Sequence, residues 1–304
     1  MYYFLSLLMG VLISVMVAFN GGLTAEYGMY SATVIIHVVG LALIVVIVLA
    51  RREWPFVEFF KSSKGNNSSL LGDDTKSRAG FVFYLGGAIG VLTTIFLNFA
   101  FGRISVSAIL ALGLFGQSIT GLVIDQYGLL GMAKHPFAKR KLIGLILIIA
   151  GIVSMISNFE IIAVILAFVS GATIVISRTL NAKLADTTST NISTFYNYIV
   201  GLVISIPVFL ILGSNEISLM EFTLSPNWYI YLGGVLGVCV VLLGNITVMK
   251  ISAFYLTLLI FIGQVFSGVL IDIVISQELS PRNLIGGVLV TLGLSINLIL
   301  DRKN

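Results

Sequence analysis

A chain of 304 residues that is 58% hydrophobic and only 10% charged excludes a soluble enzyme, because soluble domains carry about a quarter charged residues. Its single cysteine, Cys239, excludes a disulfide scaffold, and its low charge excludes a disordered chain. Basic loops on the cytoplasmic side of a membrane account for the net charge of +4, so no nucleic-acid partner is required.

Apolar runs of bilayer-crossing length follow one another along the chain, each near the about 20 residues that a spanning helix needs. Tyr3–Asn20 comes first. It lacks a basic leader and a small-residue cleavage site, and it reads as a retained span rather than a signal peptide. Ser31–Ala50 follows, then a hydrophilic stretch from Arg51 to Arg78 whose Lys-Ser-Ser-Lys-Gly-Asn-Asn-Ser-Ser core reads as a flexible cytoplasmic linker. Ala79–Phe101, Ile104–Ile124 and the shorter Leu142–Ser157 come next. The remaining runs are Ile161–Leu180, Ile192–Leu212, Trp228–Met249, Ile251–Ile271 and Leu284–Leu300. None alternates as a barrel strand must, so the expected class is an all-α integral membrane protein of ten transmembrane helices. With the N-terminus inside, only Arg103 and Arg282 of the 17 Lys and Arg residues fall on the outer side. That bias places both termini in the cytoplasm.

Self-comparison exposes an internal repeat. Leu85-Gly86-Gly87 recurs 147 residues later as Leu232-Gly233-Gly234, and at the same offset Asn98 meets Asn245, Gly116-Gln117 meets Gly263-Gln264, and Asp125 meets Asp272. Nearer the N-terminus the offset is 161: Gly10, Asn20, Thr33 and Gly40 meet Gly171, Asn181, Thr194 and Gly201. Nearer the C-terminus it is 142, where Gly144 and Gly151 meet Gly286 and Gly293. Two five-helix repeats are the simplest account, residues 1–157 (with the linker at about 51–78) and 158–304. Five is odd, so the second repeat enters the membrane from the opposite side. Many secondary transporters are built this way, with the substrate site near the midplane where the repeats meet.

Particular segments resemble a known family. They are Asn20-Gly21-Gly22-Leu23, Asn181-Ala182-Lys183-Leu184, Ser193-Thr194-Phe195-Tyr196-Asn197-Tyr198, and the Gly116-Gln117 to Asp125 and Gly263-Gln264 to Asp272 stretches. Together they look like the YdcZ-like branch of the drug/metabolite transporter superfamily, with its ten-helix, EamA-like inverted-repeat fold. The resemblance covers nearly the whole chain apart from residues 53–77. One departure is Met16, where that branch commonly carries Gln. The resemblance implies a transporter of small metabolites or drugs with a central cavity lined by helices 1, 3, 4, 6, 8 and 9.

Polar side chains inside spans are expensive and usually face the bundle interior. The candidate substrate-binding residues are Gln117, Gln264, Asn20, Asn181, Asn98, Asn245 and His37; Arg178, Asn197 and Asn297 are further polar positions. Each also fits a role as interhelical glue. Gln117, Gly121 and Asp125 share a helix face, as do Gln264, Gly268 and Asp272, and the middle glycine would admit a neighbouring helix or a ligand. His37 could carry a coupling proton, although its repeat partner Tyr198 points to a hydrogen-bonding site instead. The candidate gates are Asp125 with Arg178 on the inner side and Asp272 with Arg103 on the outer side. The Gly86-Gly87-x-x-Gly90 pattern lies in an apolar span and reads as helix packing, not a phosphate loop. No catalytic set, metal-ligand spacing or cofactor motif is expected.

The expected function is secondary transport of a small organic metabolite or drug across the bacterial cytoplasmic (inner) membrane by alternating access. A lipid-linked head-group flippase and a non-transporting membrane enzyme or assembly partner remain the alternatives. The expected partners are a small-molecule substrate and the lipid bilayer, with a homodimer left open. Substrate identity, direction and coupling ion are not legible in the sequence.

Overall fold

The computed structural model describes residues 1–53, 81–129, 142–155, 160–219, 224–247, 250, 253–276 and 281–301. Most of the expected linker, the basic loop at 134–141 and the last three residues lie outside the described residues, as do the side chains of Asp125 and Asn297.

Ten α-helices and two short 3-10 turns make up the described chain. The helices are α1 (Tyr2–Tyr27), α2 (Met29–Ala50), α3 (Gly86–Ala100), α4 (Val106–Tyr127), α5 (Leu142–Met155), α6 (Ile161–Thr187), α7 (Thr190–Leu212), α8 (Leu232–Thr247), α9 (Ala253–Ser276) and α10 (Pro281–Asp301). Seven helical segments are long and apolar enough to cross a membrane, and the described parts of α5, α9 and α10 carry shorter apolar stretches. No named strand occurs among the described residues, only an isolated bridge between Phe101 and Ile104.

Local chemistry sets the helix ends. Gly28 holds φ +87, a conformation that L side chains rarely adopt, and it breaks α1 from α2 within a single residue. Ser105 caps α4 by accepting the Ala108 amide at 3.3 Å, and Gly128 ends the helix in the left-handed region. α1 and α6 run on past the expected ends at Asn20 and Leu180. A buried Asn there does not stop the helix, because its side chain lies inside the bundle.

The sorting of side chains is that of a membrane protein. Asn98, Gln117, Asn181, Asn245 and Gln264 are buried, whereas Ile211 is 74% exposed and Val274 78% exposed. Water would penalise such an apolar exterior, and a bilayer solvates it.

Packing repeats along the chain. α1 packs on α8 and α9, and α6 packs on α3 and α4. α2 packs on α7 and α8, α7 on α2 and α3, and α5 on α10. Exchanging each helix with the one five places away returns the same set of neighbours. Glycines make the crossings: a Cβ on Gly10 would strike the Ile260 carbonyl of α9, and one on Gly171 would strike the Gly113 carbonyl of α4. Carboxylates pin the α2–α7 pair at both ends. Glu216 accepts the Tyr30 and Ser31 amides at 3.1 and 2.8 Å, and Glu53 accepts from Ser189 Oγ and Asn191 Nδ2 at 2.6 and 2.8 Å. The former places a negative charge at the positive end of α2.

Gly171→Ala should destabilise the purified protein by roughly 1–3 kcal/mol through overpacking. Gly121, whose Cβ would meet nothing within 4 Å, is the control: Gly121→Ala should leave the melting temperature unchanged or raise it. Equal losses from the two substitutions would contradict the crossing geometry.

Candidate functional site

A central cavity of about 180 Å³ lies where the helices cross. All seven candidate binding residues line it: Asn20 from α1, His37 from α2, Asn98 from α3, Gln117 from α4, Asn181 from α6, Asn245 from α8 and Gln264 from α9. α7 adds Asn197 and Tyr198. The lining thus includes α2 and α7 besides the six helices that the family resemblance implies.

The lining follows the repeat. On α1, Ile13, Met16, Val17 and Asn20 face the cavity, and on α6 the equivalent positions are Ile174, Ser177, Arg178 and Asn181. Gly90, Thr93, Thr94, Leu97 and Asn98 of α3 match Gly237, Val240, Val241, Gly244 and Asn245 of α8. Spacings of three and four put each set on one helix face.

Several of these amides hold one another in place. Asn98 Nδ2 donates to Thr33 Oγ1 at 3.4 Å, and Asn245 Nδ2 donates to Thr194 Oγ1 at the same distance. Asn181 Nδ2 donates to Asn197 Oδ1 at 2.8 Å, while Asn181 Oδ1 lies where a side chain on Gly86 would sit. Asn20 Oδ1 occupies the matching place over Gly233 but is a buried oxygen with no hydrogen-bond partner, as is Gln264 Oε1. An unpaired buried acceptor costs about 1–3 kcal/mol. His37 Nδ1 donates to the Thr33 carbonyl at 2.7 Å, and its ring lies 5.9 Å from that of Tyr198.

The four charged candidates have different surroundings. Asp272 accepts the Val106 and Ser107 amides at 2.9 and 3.1 Å, so this α9 carboxylate holds the start of α4. Arg103 lies 3.4 Å from Glu160, donates to the Phe99 carbonyl and stacks over the Phe99 ring. Arg178 sits well inside α6, roughly two and a half turns from its end, and lines the cavity. Asp125 belongs to α4, with its side chain outside the described residues. Of the two middle glycines, Gly268 faces Ser107 and Leu110 of α4 closely, whereas Gly121 faces open space.

Sequence reasoning placed Arg178 among the polar groups inside spans and paired it as an inner gate but did not name it for substrate binding, and it missed the lining role of Thr93 and Thr94. The register of the repeat carried that signal: Arg178 is equivalent to Val17 on the same helix face as Asn20.

The comparisons with known proteins agree with this architecture. A family model described as "Putative inner membrane exporter, YdcZ" matches residues 1–154 and 162–296. A solved structure described only as "Crystal structure of protein" is similar with a TM-score of 0.63, over 99% of this chain and 96% of that chain. At 15% identity it speaks for the fold alone. No curated protein matches the chain.

Asp272→Ala should cost about 1 kcal/mol, the usual loss on removing a helix cap, read as a lower melting temperature in detergent. Arg103→Gln, which removes a pair between residues exposed on the surface, should change stability by less than about 0.5 kcal/mol. The opposite ranking would refute the capping role.

Proposed function

The chain belongs to the YdcZ family of drug/metabolite transporters and is a multi-pass integral inner membrane protein; on that premise we propose that it exports a small organic molecule by alternating access. In this reading ten helices span the membrane with both termini cytoplasmic, and residues 1–157 and 158–304 form inverted five-helix repeats. The chemistry is binding and release, and no covalent step is assigned. The observation that carries the reading is the cavity, to which the two halves contribute Asn20 and Asn181, Asn98 and Asn245, and Gln117 and Gln264 at equivalent positions.

Two halves of one architecture can exchange slightly different conformations, and the exchange opens the cavity to the other side. In this reading the α9–α4 contact, in which Asp272 accepts the Val106 and Ser107 amides, is the closed state of the outer gate. Asp125, its repeat equivalent on α4, performs the matching task at the start of α9 when the exchange occurs. The gates in this reading are carboxylates on helix starts. Such contacts are weak enough to break at a modest cost.

Gln117→Leu or Gln264→Leu should reduce transport roughly ten- to hundredfold, the effect of losing about 1–3 kcal/mol of hydrogen bonding to a polar ligand. Expression and melting temperature should stay near wild type. Transport retained in the double mutant would remove the pair from the site. Cysteine accessibility, with Cys239 replaced, tests the gates: Asp272→Ala should increase labelling of positions on the outer half from the outside and reduce labelling of inner positions from the cytoplasm. An unchanged pattern would make Asp272 a static anchor.

A further inference from the structure

The two repeats build the same cavity wall from different chemistry. At five equivalent positions α1, α2 and α8 present carbon or a thioether while α6, α7 and α3 present a polar group. Met16 faces Ser177 across the repeat, Val17 is matched by Arg178, and Ile36 by Asn197. Val240 and Val241 are matched by Thr93 and Thr94. Helix contacts keep each set together, because α3 packs on α6 and α7 while α8 packs on α1 and α2. At these five positions the polar side chain falls on the α3–α6–α7 wall and the apolar one on the α1–α2–α8 wall, which keeps Asn20, His37 and Asn245 as polar groups in common with its counterpart.

Arg178 sets the sign of the α3–α6–α7 wall. It lines the cavity half-buried, and among the described residues it has neither a hydrogen-bond nor an ion-pair partner. No carboxylate and no second cation lines the cavity among those residues. Neighbouring polar groups are engaged elsewhere: Ser177 Oγ donates to the Gly86 carbonyl at 2.8 Å, Thr93 Oγ1 to Thr173 Oγ1 at 2.7 Å, and Thr94 Oγ1 to the Gly90 carbonyl at 3.0 Å. The guanidinium thus lines the cavity with no partner among the described residues. Snorkelling to lipid phosphates, the ordinary fate of an arginine in a span, does not suit a side chain on the cavity face beside Ser177 and Asn181.

Resting on the transporter reading, we infer that the substrate is a small organic monoanion with an apolar body. Its carboxylate is held by Arg178 on the α3–α6–α7 wall, and its hydrocarbon lies against Met16, Val17, Ile36 and Val241 on the opposite wall. A guanidinium presents a planar fork that matches a carboxylate with two parallel hydrogen bonds. One fixed charge is neutralised by one negative charge; a dianion would leave an excess charge in a poorly solvated space, and a cation would meet repulsion. The repeat-equivalent Val17 makes the site charged on one wall only, so the substrate binds in one orientation.

The experiment uses the purified full-length protein and one isosteric series: phenylacetate, phenylacetamide, phenethylamine, phenylalanine and phenyl phosphate, with acetate as the bodiless anion. Thermal stabilisation in detergent reads binding, and release of preloaded compound from proteoliposomes reads transport. Phenylacetate should stabilise the wild type most, acetate and phenethylamine little. Arg178→Gln should weaken phenylacetate about 10- to 100-fold, the loss of a charge-assisted hydrogen bond, and leave phenylacetamide unaffected. Arg178→Lys should recover part of the loss. If Arg178→Gln does not fold, the wild-type ranking and the Val17→Asp variant decide: a carboxylate opposite Arg178 should abolish phenylacetate binding. A preference for phenethylamine, phenylalanine or phenyl phosphate overturns the inference, as does no response to phenylacetate or an unchanged response in Arg178→Gln. Transport of a non-anionic member that is lost in Gln117→Leu would leave the transporter reading standing while the anion reading falls.

Discussion

A polar group surrounded by hydrocarbon must find its partner inside the protein, and the whole structure follows from that constraint. Backbone groups meet it by forming helices almost everywhere. Side chains meet it by turning inward, so that the amides of Asn20, Asn98, Asn181, Asn197 and Asn245 converge on the centre while leucines and isoleucines face outward. Once those amides converge, space between them is natural, since eight helices with polar faces of different reach cannot fill it completely. The cavity is a consequence of satisfying polar groups in lipid.

Close crossings hold the arrangement. Without a hydrophobic drive between helices in lipid, association depends on intimate contact and on buried hydrogen bonds. Gly10 and Gly171 supply the first by letting backbones touch, and the Asn98–Thr33 and Asn245–Thr194 bonds supply the second. The same devices recur at both repeats, so the energetics of one half resemble those of the other. Two similar halves are what the proposed exchange of conformations requires. A single rigid core would not allow it.

Symmetry in the backbone coexists with asymmetry in chemistry. Where the repeats keep the same residue, as at Asn98 and Asn245 or Gln117 and Gln264, the position serves packing and the centre of the cavity alike. Where they differ, as at Val17 and Arg178, the difference gives the cavity a direction. Duplicated scaffolds need such differences, because a symmetric site would offer a chemically asymmetric ligand two equivalent poses.

The apolar runs, the excess of Lys and Arg in one set of loops and the recurring Gly, Asn and Gln positions were enough to read an all-helical membrane protein with an internal repeat. These are properties of composition and spacing, and the bilayer imposes them on the chain directly. Each of the seven candidate binding residues lines the cavity, because lipid leaves a buried polar side chain little choice but to face inward. Other features came only from the tertiary structure. Arg178 stood in the sequence as a polar group near the end of an apolar run and as a gate candidate, and only the structure shows it on the cavity face, with α6 running on to Thr187. Asp272 and Arg103 looked like partners because their charges are opposite; instead the α4 amides occupy the carboxylate and Glu160 lies beside the arginine. Glu53 and Glu216 gave no motif at all, although they pin the ends of α7 and α2. Sequence spacing fixes which side chains share a helix face, but contacts between distant helices depend on how those helices cross, and the crossings are decided by backbone approach at glycines scattered through the whole chain.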